Sequence, residues 1–131
     1  MRKTLLIIMF LATCGIVVAQ NSDENTVFTT VDQMPEFPGG LPGLAKYLSE
    51  NVSYPQTARE SGIQGRVIVY FVIETNGRVS NTKVIRGIGG GCDEEAVRVV
   101  NAMPRWKPAK QEGKKVRVSF NLPINFKLTD P

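Results

Sequence analysis

The stretch that decides the fold is Gly65–Arg86, GRVIVYFVIETNGRVSNTKVIR, in which two strand-like runs flank the tripeptide TNG at 75–77. The first run, Gly65–Glu74, carries apolar side chains on both of its alternating sides, which is typical of a central strand. Asn-Gly favours the positive φ angles of a tight hairpin turn. The second run, Arg78–Arg86, loses its alternation partway, which indicates a β-bulge. The stretch therefore predicts an antiparallel hairpin whose first strand is central.

Two helices are predicted before this hairpin. Apolar residues recur at helical spacing from Leu41 to Val52. A short second helix is expected to begin around Pro55 and to stop at Gly62, because glycine readily takes the left-handed conformation that ends a helix. The preceding MPEFPGG, residues 34–40, is expected to be a turn-like segment. Its Phe37 either inserts at the edge of the core or stays exposed.

A third helix and a final strand are predicted after the hairpin. Asp93 is a suitable N-cap for this helix, and Pro104 ends it. Residues 107–115 are predicted to be a basic loop and Val116–Leu128 the last strand. Pro123 places that strand at an edge of the sheet, because proline lacks a donor for one neighbour. The element order predicts an α+β two-layer sandwich, a three-stranded antiparallel sheet with helices packed on one face.

This domain is expected to span residues 41–128, after an export signal. Residues 1–20 combine a basic start with a short apolar run and a small residue before the end, which is typical of a cleavable signal peptide. Retention as an uncleaved inner-membrane anchor, or lipidation at Cys14, remains an alternative. Residues 21–40 are expected to be a flexible lead-in closed by the Pro/Gly turn segment. The expected location is the periplasm.

Composition excludes several kinds of chemistry. The chain contains no histidine, so it has neither a Ser-His-Asp triad nor a histidine zinc site. Removal of residues 1–20 would leave Cys92 as the single cysteine, and 14 basic against 12 acidic residues, a net charge of +2. Glu94 and Glu95 are adjacent, so they suit a charged helix start better than acid–base catalysis. The sequence predicts no catalytic residue, no cofactor, no metal and no nucleic-acid partner.

Ser53–Leu128 resembles the TonB C-terminal domain in its Bacteroidetes form. The pieces that carry the resemblance occur in the family's order: Tyr54-Pro55 with Ala58, GIQGRV at 62–67, NGRV at 76–79, DEEA at 93–96, AMPRWKP at 102–108 and LPINF at 122–126. The MPEFPGG segment and its helix are also typical of that form. The ordered set is specific, although each piece alone is weak.

The resemblance implies a role in carrying inner-membrane energy to outer-membrane receptors. The family's C-terminal domain grips a short receptor segment, the TonB box, by strand addition. The implied partners are a TonB-dependent outer-membrane receptor and, if the chain is anchored, an ExbB/ExbD-type motor. An edge strand from Val116 to Phe126 would then be the docking edge. The candidate peptide-binding residues are Tyr54, Pro55, Val116, Val118, Phe120, Leu122, Ile124 and Phe126.

The chain departs from the family pattern in three ways. Residues 51–55 keep only the Tyr and Pro of the family's Gln-Pro-x-Tyr-Pro pattern, and Cys92 stands where a leucine usually opens the helix. Full transducers also keep a permanent anchor and a long spacer, whereas a cleavable signal is expected here. A cleaved chain would bind a receptor without pulling on it.

Alternatives stay open at the level of sequence. The domain is either a receptor-binding module or a structural subunit or homodimer that pairs its own edge strands. Tyr54 and Pro55 either contact a peptide or pack on the sheet and start a helix. Trp106, between Arg105 and Lys107, is either a core residue or part of a cation–π recognition patch. The lysines around it form either a solvated loop or an attractive surface; they are Lys107, Lys110, Lys114 and Lys115.

Overall fold

A computed structural model describes residues 25–128, so the predictions for the signal segment and for Cys14 lie outside the described residues. Within that range the elements are β1 (Val27–Phe28), α1 (Gly40–Asn51), α2 (Gln56–Ser61), β2 (Gly65–Ile73), β3 (Val79–Arg86), α3 (Cys92–Asn101), β4 (Ala109–Gln111) and β5 (Lys114–Phe126). No helix in this range is long and apolar enough to cross a membrane.

The sheet is built around β2, as the apolar run in that strand predicts. Its strand order is β1-β5-β2-β3, and β4 pairs separately with β5. β2 runs antiparallel to both β3 and β5, whereas the two-residue β1 runs parallel to β5. The predicted α+β class with an antiparallel central sheet is confirmed. The predicted count of three strands is too small, because β1 and β4 add short pieces at one end.

The two neighbours of β2 differ in regularity. β2 pairs with β5 without a register shift, from Gly65 opposite Phe126 to Ile73 opposite Val118. The ladder between β2 and β3 shifts twice, and Asn81 in β3 has a φ of 51°. The lost alternation in the sequence of β3 therefore corresponds to real irregularity, which confirms the predicted bulge.

The helices lie close to their predicted positions, but the start of α3 corrects the sequence interpretation. Gly91, not Asp93, is the N-cap of α3, with a φ of 89°. The Asp93 carboxylate instead accepts hydrogen bonds from the backbone N–H groups of Ile88 and Gly89, at 2.9 and 3.2 Å. The glycine-rich turn allows the helix to begin two residues earlier than predicted, and Asp93 stabilises that turn. Gly62 ends α2 in the left-handed conformation, as predicted.

The core lies between one face of the sheet and the helices. Alternate side chains of β2 and β5 meet apolar residues of α3 there, and the fully or nearly fully buried members are Val67, Val69, Phe71, Ile73, Ala96, Val100, Leu122, Ile124 and Phe126. α1 lies beside α3, and a hydrogen bond joins the two helices: the Tyr47 hydroxyl donates to the Val99 carbonyl at 2.8 Å. Phe37 is buried, so it does insert into the core.

Two segments predicted to be loops are part of the fold. Val27 and Phe28 of the predicted flexible lead-in form β1, and residues 109–115 of the predicted basic loop lie in the β4–β5 hairpin. The lead-in continues against that hairpin, with Gln33 bridged to Lys110 and Glu36 to Lys107. Strands of two or three residues have no readable periodicity, so their partners rather than their own sequence determine them.

Candidate peptide-binding edge

The outer side of β5 is the open edge of the sheet. β2 occupies the inner side of β5 from Val118 to Phe126. On the outer side, β1 covers only Arg117 and Val118. No other strand within residues 25–128 pairs with the segment 119–126. At about 3.3 Å per residue this open edge is roughly 26 Å long, which accommodates an extended peptide of similar length.

Pro123 shows which backbone groups face outward. It holds its place opposite Ile68 in a ladder that does not shift. A proline fits such a ladder only if its nitrogen faces away from the partner strand, because it has no N–H to donate. Alternation along the strand then turns the N–H and C=O groups of Asn121 and Asn125 outward too. The edge therefore offers donors on both sides of Pro123 and a gap at Pro123 itself.

A groove runs beside the far end of this edge. It has a volume of about 490 Å³ and lies between the second half of α1 and the end of β5. Leu48, Val52 and Tyr54 line one wall, and Ile124 and Asn125 line the other. The side chains of these last two residues point to opposite faces of the sheet, so the groove reaches the strand edge itself. We call it the Tyr54 groove.

A second groove, the Trp106 groove, lies at the near end of the edge. Its volume is about 450 Å³, and the MPEFPGG segment, the start of α1, Trp106 and Phe120 line it. Trp106 is nearly fully buried among aromatic rings, with ring centroids 5.3 Å from Phe37 and 5.7 Å from Phe120. The core interpretation of Trp106 is therefore confirmed. The described cation–π contacts are instead Arg59 over Tyr54 and Lys83 over Tyr70.

The part of β5 that is open to a peptide is shorter than the predicted docking strand, because its first residues already have partners. Val116 pairs with Ala109 of β4, and Val118 is buried between β1 and β2. Both residues therefore lie outside the open edge, contrary to the predicted start at Val116, because the sequence gives no sign of the two short strands. The remaining strand candidates are on the open segment, with core-facing side chains, and are Phe120, Leu122, Ile124 and Phe126.

Asn121 and Asn125 are edge positions that were not among the candidate residues predicted from the sequence. Both side chains are exposed on the other face of the sheet, and both backbones face the open edge. A small polar residue in an alternating strand normally marks only a solvated face. Pro123 could have indicated them, because residues two positions before and after an edge proline turn their backbone groups to the same side of the strand.

Tyr54 and Pro55 have separate positions. The Tyr54 hydroxyl donates to the Ile63 carbonyl, and its ring packs edge-on against Phe126 at 5.7 Å between centroids. Desolvation raises the pKa of the Tyr54 hydroxyl. Pro55 is the N-cap of α2 and is not part of the groove lining. The packing interpretation holds for both residues, although Tyr54 also forms a groove wall.

The opposite edge of the sheet, β3, is poorly suited to strand addition. Its ladder is irregular, Asn81 has a positive φ, and Lys83 and Arg86 are exposed on it. Thr82 also donates a hydrogen bond from its side chain to Asn101, at 2.6 Å. Bulges and charged residues are common devices that protect sheet edges from pairing. The regular β5 edge lacks such charges between Ser119 and Phe126.

Two ion pairs fix the surroundings of the edge. Glu95 binds Arg98 at 2.7 Å and also accepts the backbone N–H of Ser53 at 2.7 Å. The bonds from Arg98 lower the pKa of the Glu95 carboxyl. Glu74 binds Arg117 at 2.8 Å, and the bonds from Arg117 lower the pKa of Glu74 in the same way. These carboxylates therefore have structural partners.

The described residues contain no assembled metal site. No group of three or more Cys, Asp or Glu side chains within residues 25–128 is placed to hold a metal ion. Cys92 is a free and fully buried thiol, and burial raises its pKa.

The basic segment around Trp106 is partly strand. The Lys110 and Lys115 backbones lie directly opposite each other in the β4–β5 hairpin. The chemistry that the geometry offers is backbone pairing along β5.

Comparisons with known proteins agree with this geometry. A family model described as the Gram-negative bacterial TonB protein C-terminal matches residues 50–128. The chain is 35% identical over 75 residues to protein TonB of Pseudomonas aeruginosa, which is 57% of this chain and 22% of that protein. The chain therefore matches only a minor part of that relative's length.

Two solved structures have the same fold. They are NMR solution structures of the Helicobacter pylori TonB C-terminal domain, of residues 179–285 and 194–285, each 23% identical to this chain. Their TM-scores are 0.52 and 0.51, over 70% of this chain and 82% and 96% of those chains. With the family model matching residues 50–128, more than half of the chain, this protein belongs to the TonB C-terminal-domain family.

Proposed function

We propose that the domain binds the TonB-box segment of a TonB-dependent outer-membrane receptor by adding it as a strand to the outer side of β5. The observation that carries this proposal is the open segment from Ser119 to Phe126, which pairs with β2 on one side only. Its regular ladder with β2, its lack of charged residues and the two adjacent grooves favour it over β3 as the site of strand addition. Membership of the family supports the receptor as the source of the peptide.

Backbone pairing alone gives weak binding. The outward groups include the N–H groups of Ser119, Asn121 and Asn125, and each hydrogen bond contributes about 0.5–1.5 kcal/mol net. Association costs at least about 4 kcal/mol in lost freedom of motion. An edge of this size therefore suits a segment that binds and releases readily, as a transport cycle requires. Tight binding would need further contacts from side chains.

The wider role is energy transduction for receptor transport in the periplasm. An anchored chain would connect the receptor to an ExbB/ExbD-type motor, whereas a cleaved chain would bind the box without transmitting force. Mass spectrometry of the exported protein separates these two cases, because cleavage would lower its mass by that of about twenty N-terminal residues, the length of a typical signal peptide. An intact N-terminus supports transduction, and a chain that begins near Asn21 supports binding alone.

The direct test is titration of the domain with TonB-box peptides from receptors of the same organism. The backbone amide signals of the non-proline residues in 119–126 should shift, while those of β3 should stay in place. Absence of binding at millimolar peptide would exclude box recognition. The same open edge also suits pairing between two copies of the chain, as a homodimer or structural subunit. Sedimentation of the free domain tests that alternative, since a monomer at high concentration excludes it.

A further inference from the structure

Exposed apolar side chains concentrate at the Trp106 groove. The large hydrophobic residues that are exposed within the described range are Met34, Leu41 and Ile85, with exposed fractions of 53%, 79% and 51%. Met34 and Leu41 both line the Trp106 groove, whereas Ile85 lies on β3 and lines neither groove. Single exposed apolar residues are ordinary. Two of them at the mouth of one groove indicate a surface that a partner covers.

One residue that lines this groove carries a buried polar group without a partner. The Trp106 indole Nε1–H is buried and has no acceptor among the described residues. The backbone N–H of Trp106 is bonded to the Gly77 carbonyl at 2.9 Å, and aromatic rings hold the indole on several sides. An unsatisfied buried donor costs about 1–3 kcal/mol. A peptide carries carbonyl oxygens, so an occupant of this groove that reached the indole would offer the acceptor that the described residues lack.

Both grooves follow the same seam between α1 and β5. Leu44 of α1 and Phe120 of β5 line the Trp106 groove, whereas Leu48 of α1 and Ile124 of β5 line the Tyr54 groove. The step is four residues on each element. Along a strand, four residues span about 13 Å, and positions four apart point to the same face. A strand added beside β5 would therefore direct two side chains, four residues apart, toward the two grooves.

We infer that the two grooves are the side-chain specificity sites of the β5 edge. The partner is an extended peptide with apolar side chains at positions i and i+4. One side chain enters the Trp106 groove between Met34 and Leu41, and the other enters the Tyr54 groove beside Leu48. This inference rests on the proposed function, and it adds sequence selectivity to a binding mode that backbone pairing alone leaves unselective.

The test uses a TonB-box peptide from a receptor of the same organism, together with a glycine scan of that peptide. Trp106 is the single tryptophan of the chain, so its fluorescence reports on the Trp106 groove alone. Glycine at either of two positions four residues apart should weaken binding about tenfold, which corresponds to about 1.4 kcal/mol. Binding of the unsubstituted peptide should change the Trp106 emission. Leu41→Ala should weaken binding and abolish the penalty of glycine at one of the two positions.

Ile85→Ala is the matched control, because Ile85 is similarly apolar and exposed but lies away from both grooves. Leu41 is 79% exposed, so its truncation leaves the fold intact. A flat glycine scan, or equal effects of Leu41→Ala and Ile85→Ala, would overturn the specificity sites while the proposed strand addition stands. No binding of any box peptide to the wild-type domain would overturn strand addition itself, and the specificity sites with it.

Discussion

Arg117 holds Glu74 through two hydrogen bonds, from Nε to Oε1 at 2.8 Å and from Nη2 to Oε2 at 3.1 Å. The third nitrogen of the same guanidinium, Nη1, donates to the Asn25 carbonyl at 3.0 Å. Glu74 also accepts a hydrogen bond from the Ser80 hydroxyl. One side chain of β5 thus connects the end of β2 to the lead-in segment, and so fixes the point at which the open edge begins.

Glu74→Gln should make the domain less sensitive to acid. The Arg117 bonds hold the pKa of Glu74 below its ordinary value of 4.5. A carboxyl with a lowered pKa in the folded state contributes stability above that ordinary value, and this stability is lost as the pH falls through the folded pKa. The free energy of unfolding of the wild-type domain should therefore exceed that of Glu74→Gln by about 1 kcal/mol at pH 7. Near pH 3 this difference should be smaller. Denaturant unfolding across this range measures the difference; a constant difference would contradict the assignment.

Arg117→Gln should release β1 from the sheet. It removes the donor to Asn25 as well as the partner of Glu74. Hydrogen exchange at Val27 and Phe28 should become several times faster, because a two-residue strand has little stability of its own. Glu74→Gln is the control, since it leaves the Arg117 donor to Asn25 in place. Equal protection of β1 in both variants would show that Arg117 does not hold the lead-in.

The central part of the fold was predictable because its signals are local. The apolar run of β2, its Asn-Gly turn and the periodicity of α1 each lie within about a dozen residues, where alternation and helical spacing are readable. β1 and β4 were not predictable, because each depends on a distant partner in β5. The same limit applies to the site. Pro123 indicates an edge, but the edge begins at Ser119 only because β1 covers Arg117 and Val118.

The Trp106 groove is a second case of this limit. Its walls come from the MPEFPGG segment, α1, Trp106 and β5, which are far apart in the sequence. A lone tryptophan is usually a core residue, and Trp106 is one. The groove beside it exists because the lead-in bridges to Lys107 and Lys110, which brings Met34 and Trp106 into the lining of the same groove. Local sequence patterns cannot predict this groove, because its walls come from segments that meet only in the folded chain.

Gly77→Ala should destabilise the domain much more than Gly113→Ala. Both glycines have positive φ angles, 87° and 80°. A Cβ at Gly77 would lie 2.1 Å from the Trp106 carbonyl oxygen, whereas one at Gly113 has no neighbour within 4 Å. The left-handed conformation costs each alanine about 1–2 kcal/mol, and the steric conflict at Gly77 adds about 1–3 kcal/mol. Thermal or denaturant unfolding of the pair measures this difference, and equal losses would contradict the close packing of Trp106 on the hairpin turn.

Asn121→Pro should abolish peptide binding while the domain stays folded. The outward N–H of Asn121 lies two residues before Pro123, so a proline there removes an edge donor and keeps the ladder with β2. The ring would also occupy space that an added strand needs. We expect at least a tenfold loss of affinity for the TonB-box peptide, which corresponds to at least about 1.4 kcal/mol, with a fall of about 1 kcal/mol in the free energy of unfolding.

Asn121→Ala is the control for the side chain, which points away from α1 and is exposed. It keeps the backbone N–H, so its affinity should stay within about twofold of wild type, well under 1 kcal/mol. Titration calorimetry of both variants with the same peptide gives the comparison. If Asn121→Pro stayed folded and still bound as the wild type does, the peptide would not be pairing with β5. If the alanine variant lost affinity as severely, recognition would depend on the exposed face of the sheet instead of its edge.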